Sequence, residues 1–398
     1  MPVSSPFGAL RGVRIIDASR VLAGPYCGQL LADHGADVIK VEPPGGDDTR
    51  RWGPPFTEDA ASYYTGVNRN KRGITLDLTQ SDARERLLAL LEDADVFIEN
   101  FKAGTLEKWG LGYEEVLARR FPRLVHCRIT GFGTDGPLGA LPGYDAVIQG
   151  MAGLMSINGT PASGPTRIGI PLVDISTGTQ AALGIAMALN ERHTSQRGQL
   201  VEVALYDVAL SLLHPPAANW LLSGVPQPLL GNGHPNIVPY DKFQTATADV
   251  FIGVGNDGQF RKFAAALGRA DLAENERYTT NPQRVRNRQE LTLILQQELA
   301  LLDGVALCDR LARAGVPAGP INDVGQALSH AHTQHRQMVV ELDGYRGTGL
   351  PVKLSRTPGR PSRRPPRLGE HNEEILGSDG SPEPAATSGR TVAAGDKQ

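Results

Sequence analysis

The sequence predicts an α/β fold, in which a large open-sheet domain is joined to a smaller α/β domain. Three observations predict it. Short apolar runs of strand type alternate with helical stretches through the first third of the chain. A Pro- and Gly-rich stretch interrupts the middle. The chain has 398 residues, more than one ordinary core holds, so two domains are expected.

Taken in order, Val13 to Ala18 reads as a strand. A helix from Gly24 to His34 is entered through Gly-Pro, and DVIKVE (Asp37 to Glu42) is the next strand, which completes a βαβ unit. The pattern recurs with a strand at Ile74 to Leu78, a helix at Ser81 to Glu92 capped by Ser81, and a strand at Asp95 to Glu99. Leu124 to Ile129 is another strand. It runs into Thr130-Gly131-Phe132-Gly133, a turn at a strand's carboxyl end, where open α/β sheets bind ligands. The first βα turn, SRVLAGP, lacks GxGxxG, so a dinucleotide site is not expected there.

Asp174 to Arg192 reads as a long helix between Pro171 and Gly198, followed by a strand at Gln199 to Val203. The stretch from Leu222 to Asn236 suggests a crossing between domains. A strand at Val250 to Val254 follows, with helices near Gln259 to Leu267, Arg288 to Leu301 and Val305 to Ala314. Residues 378–398 are rich in Ser, Gly, Ala and Pro and are expected to be disordered.

Bulk properties narrow the function. A net charge of −3 gives no electrostatic case for nucleic acid, and no nucleic-acid motif is present. No run of 18 uninterrupted apolar residues predicts a membrane span. The opening MPVSSPFGALRG has no secretory pattern, and Cys27, Cys127 and Cys308 read as reduced, buried thiols, so a cytoplasmic location is expected. The nine histidines show no HExxH or paired Cys/His spacing, and no metal is expected.

The chemistry centres on PLVDISTG. Asp174 suits a helix N-cap, where the dipole and free N–H groups hold a carboxylate ionised. Such a carboxylate, in a rigid glycine-lined site, is a competent covalent nucleophile. NRNKR (Asn68 to Arg72) is either a solvated loop or a phosphate clamp. Asn100-Phe101-Lys102 ends a strand with an amide, an aromatic ring and a cation, a set suited to a purine and a phosphate. His234, in GNGHP, reads as a loop residue.

Together with LRGVRIIDASRVLAGPYCGQLLADHGADVIKVEPPGGDDTR, FIENFKAGTLEKWGLGYEEVL, GFGTDGP, GYDAVIQGMAGLM and LGEHNEEIL, these segments stand in the order of a known family. From about Leu10 to Gly377 the chain resembles the class III CoA-transferases, the CaiB/BaiF type that includes formyl-CoA and carnitine CoA-transferases. The resemblance implies a large domain built from both chain ends, with residues 1–221 and 331–377 flanking a small domain at 222–330. It also implies ring-like protomers threaded into an interlocked homodimer, and coenzyme A as co-substrate with no metal.

The resemblance further implies transfer of coenzyme A from an acyl-CoA donor such as succinyl-CoA to a small carboxylic or dicarboxylic acid. Asp174 matches the family's nucleophile, which passes through a mixed anhydride and an aspartyl-CoA thioester. Leu22, Ala23, Leu76, Asn100, Phe101, Lys102, Gly131, Phe132 and Gly133 match segments that contact coenzyme A. Backbone N–H groups of the glycine-rich loops would supply the oxyanion donors. Pro43 stands where formyl-CoA transferases carry a CoA-binding arginine, so that clamp passes to Lys102 or Arg72. Leu22 replaces a glutamine of those enzymes and their tetraglycine loop is absent, which argues against an oxalate/formate enzyme. Arg167 is a candidate for a distal substrate carboxylate.

Two alternatives remain within the superfamily. One is an α-methylacyl-CoA racemase, whose histidine base falls where this chain has Tyr144, a poor base near neutral pH. The other is a non-catalytic CoA-binding homologue, against which the presence of Asp174 speaks.

Overall fold

The computed structural model describes residues 7–377; the tail expected to be disordered lies outside them. RIID forms β1 (Arg14–Asp17), with Ile15 and Ile16 fully buried. It leads to α1 (Ala23–Asp33), which carries Pro25 in its first turn, where a missing N–H breaks no helix bond. There follow β2 (Asp37–Glu42), β3 (Lys71–Thr75), α2 (Ser81–Glu92), β4 (Val96–Glu99), β5 (Val125–Thr130), α3 (Asp145–Met151), α4 (Leu172–Ser195), β6 (Leu200–Ala204) and α5 (Leu205–Ser211). The six strands are all parallel and lie in the order β3-β2-β1-β4-β5-β6. The order reverses between β1 and β4. The crevice outside their carboxyl ends is the ligand position of an open α/β sheet, and it brings the segments after Asp17 and Glu99 together.

The structure differs from expectation at NRNKR. It is neither a solvated loop nor a phosphate clamp, because β3 begins at Lys71, ahead of the expected Ile74. Each cation meets a carboxylate from another element, buried at Asp17 and Asp33 and part-buried at Asp37. Lys71 Nζ donates to Asp17 Oδ2 at 2.9 Å, and Arg69 forks onto Asp33 at 2.9 and 2.6 Å. Arg72 donates to Asp37 at 2.7 Å and to Glu374 at 2.7 Å. Buried charge is tolerated because it is paired and hydrogen-bonded. The N-cap of α2 is Gln80, with Ser81 already helical.

The described residues divide into two compact units, one of 7–152, 169–212 and 334–377, the other of 153–168 and 213–333. The boundaries expected at 221/222 and 330/331 are shifted accordingly, and the sequence did not announce the separate segment 153–168. In the second unit, β7 (Tyr240–Gln244), β8 (Asp249–Gly253) and β9 (Ala318–Pro320) form an antiparallel sheet in the order β9-β8-β7. Its core joins Phe243, Val250 and Ile252 to Phe260 and Phe263 of α6 (Asp257–Ala266), Leu291 and Leu295 of α7 (Arg288–Leu299), and Leu307 and Leu311 of α8 (Gly304–Arg313).

In the first unit the chain returns through a hairpin of β10 (Val339–Leu342) and β11 (Tyr345–Thr348) to α9 (Asn372–Leu376), beside β3. His371 N donates to Gly73 O at 2.9 Å, and Gly73 N donates to His371 Nδ1 at 3.1 Å. Position 73 must be glycine, since a Cβ there would lie 2.9 Å from Pro366 Cβ. By length and mean hydropathy (1.3), α4 is apolar enough to cross a membrane, but it packs lengthwise on α1 and against β5 and β6.

Candidate active site

Helix α4 starts at Leu172, with Pro171 as N-cap, so Asp174 lies inside the first turn and is not the cap. Asp145, the first residue of α3, takes the capping role from outside. Its Oδ2 accepts the N–H of Val173 at 2.8 Å and of Asp174 at 3.2 Å, and its Oδ1 accepts from Gln149 Nε2 at 2.6 Å. The side chain of Asp174 makes no protein hydrogen bond among the described residues and opens onto a cavity of about 240 Å³.

That arrangement overturns the expectation of a carboxylate held ionised. Burial first, and then the negative charge of Asp145, push the Asp174 carboxyl up to about 7. The dipole's amides are already occupied by Asp145. Asp174 is therefore half-ionised near neutral pH, in the range where a carboxylate is both available and more basic than usual.

Gly178 explains how Asp174 reaches this place. A Cβ at residue 178 would sit 2.5 Å from Ala23 O, so only glycine lets α4 press this closely on α1. One helical turn away, Asp174 then shares its cavity with Leu22 and Ala23. The same cavity is lined by Asn100, Phe101, Lys102, Gly131, Gly133 and Tyr144, nine sequence-predicted residues in all when Asp174, Leu22 and Ala23 are counted. Leu76 lines a neighbouring cavity of about 300 Å³, with Asp77 to Thr79, Pro43 and Trp109. Arg20, Phe101 and Lys102 border both. Phe101 is aimed by Glu99, whose Oε2 accepts the Phe101 N–H at 2.8 Å, and its ring meets Trp109 edge-on at 5.3 Å.

Three predicted residues are elsewhere. Arg72 is committed to Asp37 and Glu374. Phe132 lines neither cavity, and its ring packs at 5.8 Å from Tyr206. Arg167 is exposed and lines neither. The N–H of Gly133 is not free for an oxyanion, because it donates to Thr130 Oγ1 at 2.8 Å. His234 lies in the second unit, where Nδ1 accepts the N–H of Asn236. Sequence reasoning missed Arg20, a single cation in SRVLAGP, and the capping role of Asp145, which adjoins Tyr144 and carries no spacing signal toward α4. No cluster of three or more metal-ligating side chains occurs among the described residues.

The sequence model of a family described as CoA-transferase family III matches residues 10–372. The chain belongs to CoA-transferase family III. Coenzyme A is thus a substrate, and the enzyme is a transferase. A succinate–glutarate CoA-transferase of Agrobacterium fabrum is 43% identical, covering 94% of this chain and 96% of the relative. An acetyl-CoA:oxalate CoA-transferase of Acetobacter aceti is 36% identical, covering 96% and 98%. The crystal structure of a CaiB/BaiF family protein from Brucella suis superposes with a TM-score of 0.84 at 42% identity, covering 92% and 98%. The parallel sheet and flanking helices are therefore those of family III.

Proposed function

We propose that this family III enzyme moves coenzyme A from succinyl-CoA to a small dicarboxylic acid, with Asp174 as covalent nucleophile. The observation that carries the reading is the unbonded Asp174 carboxyl, raised to about 7, facing a cavity at the sheet's topological switch point. Relatives named for succinate–glutarate and succinyl-CoA:mesaconate transfer support the acid class.

In the first step a carboxylate oxygen of Asp174 bonds to the donor's acyl carbon. The C–S bond breaks, and its electron pair leaves on the CoA thiolate. The thiolate then attacks Cγ of Asp174, the anhydride C–O bond breaks, and the donor acid departs as a carboxylate. The acceptor carboxylate attacks the aspartyl thioester and expels the thiolate, which attacks the acceptor's acyl carbon and frees Asp174. Protons balance without an external acid or base. Arg20 and Lys102, which border both cavities, are placed to hold CoA phosphates, while the Trp109-lined cavity takes the nucleotide and the Asp174 cavity takes the thioester. Arg20 thus fills the part once assigned to Arg72. A homodimer is also part of this reading; exposed Val147 and Met151 on α3, Leu183 and Met187 on α4, and Leu210 on α5 support it as an apolar surface suited to a partner.

The test is mass spectrometry of protein incubated with succinyl-CoA and then hydroxylamine. A hydroxamate confined to the Asp174 peptide is expected, together with loss of transfer to glutarate in Asp174→Ala. Full transfer by a folded Asp174→Ala protein would sink the reading.

A further inference from the structure

The loop between β1 and α1 is held in an uncommon way. Val21 has φ = 69°, a left-handed conformation that a β-branched residue rarely adopts and that is strained. Arg20, Val21, Leu22 and Ala23 all border the Asp174 cavity, so the strained residue lies within the site.

Side chains grip each backbone polar group from Ser19 N to Val21 N. Ser19 N donates to Asp17 Oδ1 at 3.0 Å, and Ser19 O accepts from Lys40 Nζ. Arg20 N donates to Asn100 Oδ1 at 2.8 Å, while Asn100 Nδ2 donates back to Arg20 O at 2.8 Å. Val21 N donates to Asp47 Oδ2 at 3.2 Å. Asp47 is anchored in turn by Lys40 Nζ at 3.3 Å and by Thr49 N and Oγ1 at 3.0 and 2.8 Å. Lys40 and Asp47 are fully buried, though neither belongs to the cavity's wall.

We propose that Lys40 and Asp47 are positioning residues for coenzyme A transfer, holding Val21 left-handed so that Arg20, Leu22 and Ala23 present a fixed wall to the thioester opposite Asp174. This rests on the transferase reading above. A buried ion pair is a poor device for stability alone, since an apolar pair of equal volume commonly does as well. Here each partner also bonds one strained loop, Lys40 at Ser19 O and Asp47 at Val21 N, while Thr49 holds Asp47 from the other side. Burial raises the Asp47 carboxyl, but the Lys40 ammonium and the Thr49 and Val21 donors outweigh it and keep the group below the usual carboxylate range. It therefore holds Val21 as an anion, the stronger kind of acceptor.

The experiment is a double-mutant cycle on the full chain. Asp47→Asn keeps the shape but sets an amide NH₂ against the donors Val21 N and Lys40 Nζ, or gives up Thr49 if it flips. Its kcat is expected to fall roughly ten- to a hundredfold, the scale of a misplaced reacting group, and its Tm to fall. Val21→Gly added to Asp47→Asn should recover several-fold in kcat per folded enzyme, measured well below the Tm of both variants, because glycine takes positive φ without strain. A role in folding alone predicts no such recovery. If stranding the Lys40 charge prevents folding, Lys40→Met combined with Asp47→Asn removes it, and the same kcat loss and rescue are expected. Wild-type kcat in either folded variant, or a kcat loss that Val21→Gly leaves unchanged, overturns the tether while the transferase reading stands. A wild-type protein that transfers no coenzyme A overturns both.

Discussion

Asp145 binds the backbone of the very residue whose acidity it lowers: its Oδ2 accepts the N–H of Asp174 at 3.2 Å, and its charge, added to burial, lifts the Asp174 carboxyl to about 7. One side chain thus holds the nucleophile's backbone and adds to the burial that raises its pKa.

Asp145→Asn keeps an oxygen for the two amides and removes the charge. The acid limb of the kcat/KM profile should move to lower pH, while Tm changes little. Asp145→Ala should lose the cap as well, at about 1 kcal/mol of stability. Initial rates from pH 5 to 9 and thermal melts separate the two effects.

In the wild type, kcat/KM should rise with pH through about 7, since only the ionised Asp174 attacks. A profile flat between pH 5 and 9 would show that this carboxyl does not limit the free enzyme.

The same raised pKa has a stability consequence. The folded group binds its proton up to about 7, whereas the unfolded one releases it near the ordinary value of 3.8. Stability is therefore lost as pH rises from about 4 to 7, and the loss is complete above 7. Asp174→Asn removes the cost, worth on the order of 1–3 kcal/mol once contact with solvent in the cavity is discounted. Its Tm should exceed the wild-type value at pH 8, with a smaller difference at pH 5.

Arg20→Ala and Lys102→Ala should each raise KM for the acyl-CoA about tenfold and flatten its dependence on ionic strength, as loss of a charged phosphate contact requires. Arg72→Ala should leave KM unchanged but cost about 1–3 kcal/mol of stability, because part-buried Asp37 loses its shorter partner and keeps only Arg14 Nε at 3.3 Å. Titration calorimetry with coenzyme A and denaturant melts distinguish the two classes.

Much of the fold was legible because strand and helix periods alternate cleanly from β1 to β5, and because the turn after β5 carries glycines at a strand's carboxyl end. Asp174 was legible by its segment. What sequence could not show was partnership across the sheet. NRNKR reads as a solvated run until Asp17, Asp33 and Asp37 are brought beside it by β1, α1 and β2. Asp174 reads as its helix's cap until Asp145 arrives from α3 to take the amides. Arg20 gains meaning only where β1 and β4 part and two cavities meet at its side chain.

The return of the chain to β3 also sets a timetable. β3 is the sheet's edge, and its outward groups are met by His371 and Asn372, through Gly73 and Thr75. Those partners lie 298 and 297 residues further along the chain. At roughly 5–20 residues per second of synthesis, the edge waits about 15–60 s for its cover on the ribosome. Throughout that interval a nascent chain exposes an open strand to its neighbours, the geometry that seeds edge-to-edge aggregation. Truncation before residue 371 would make the interval permanent.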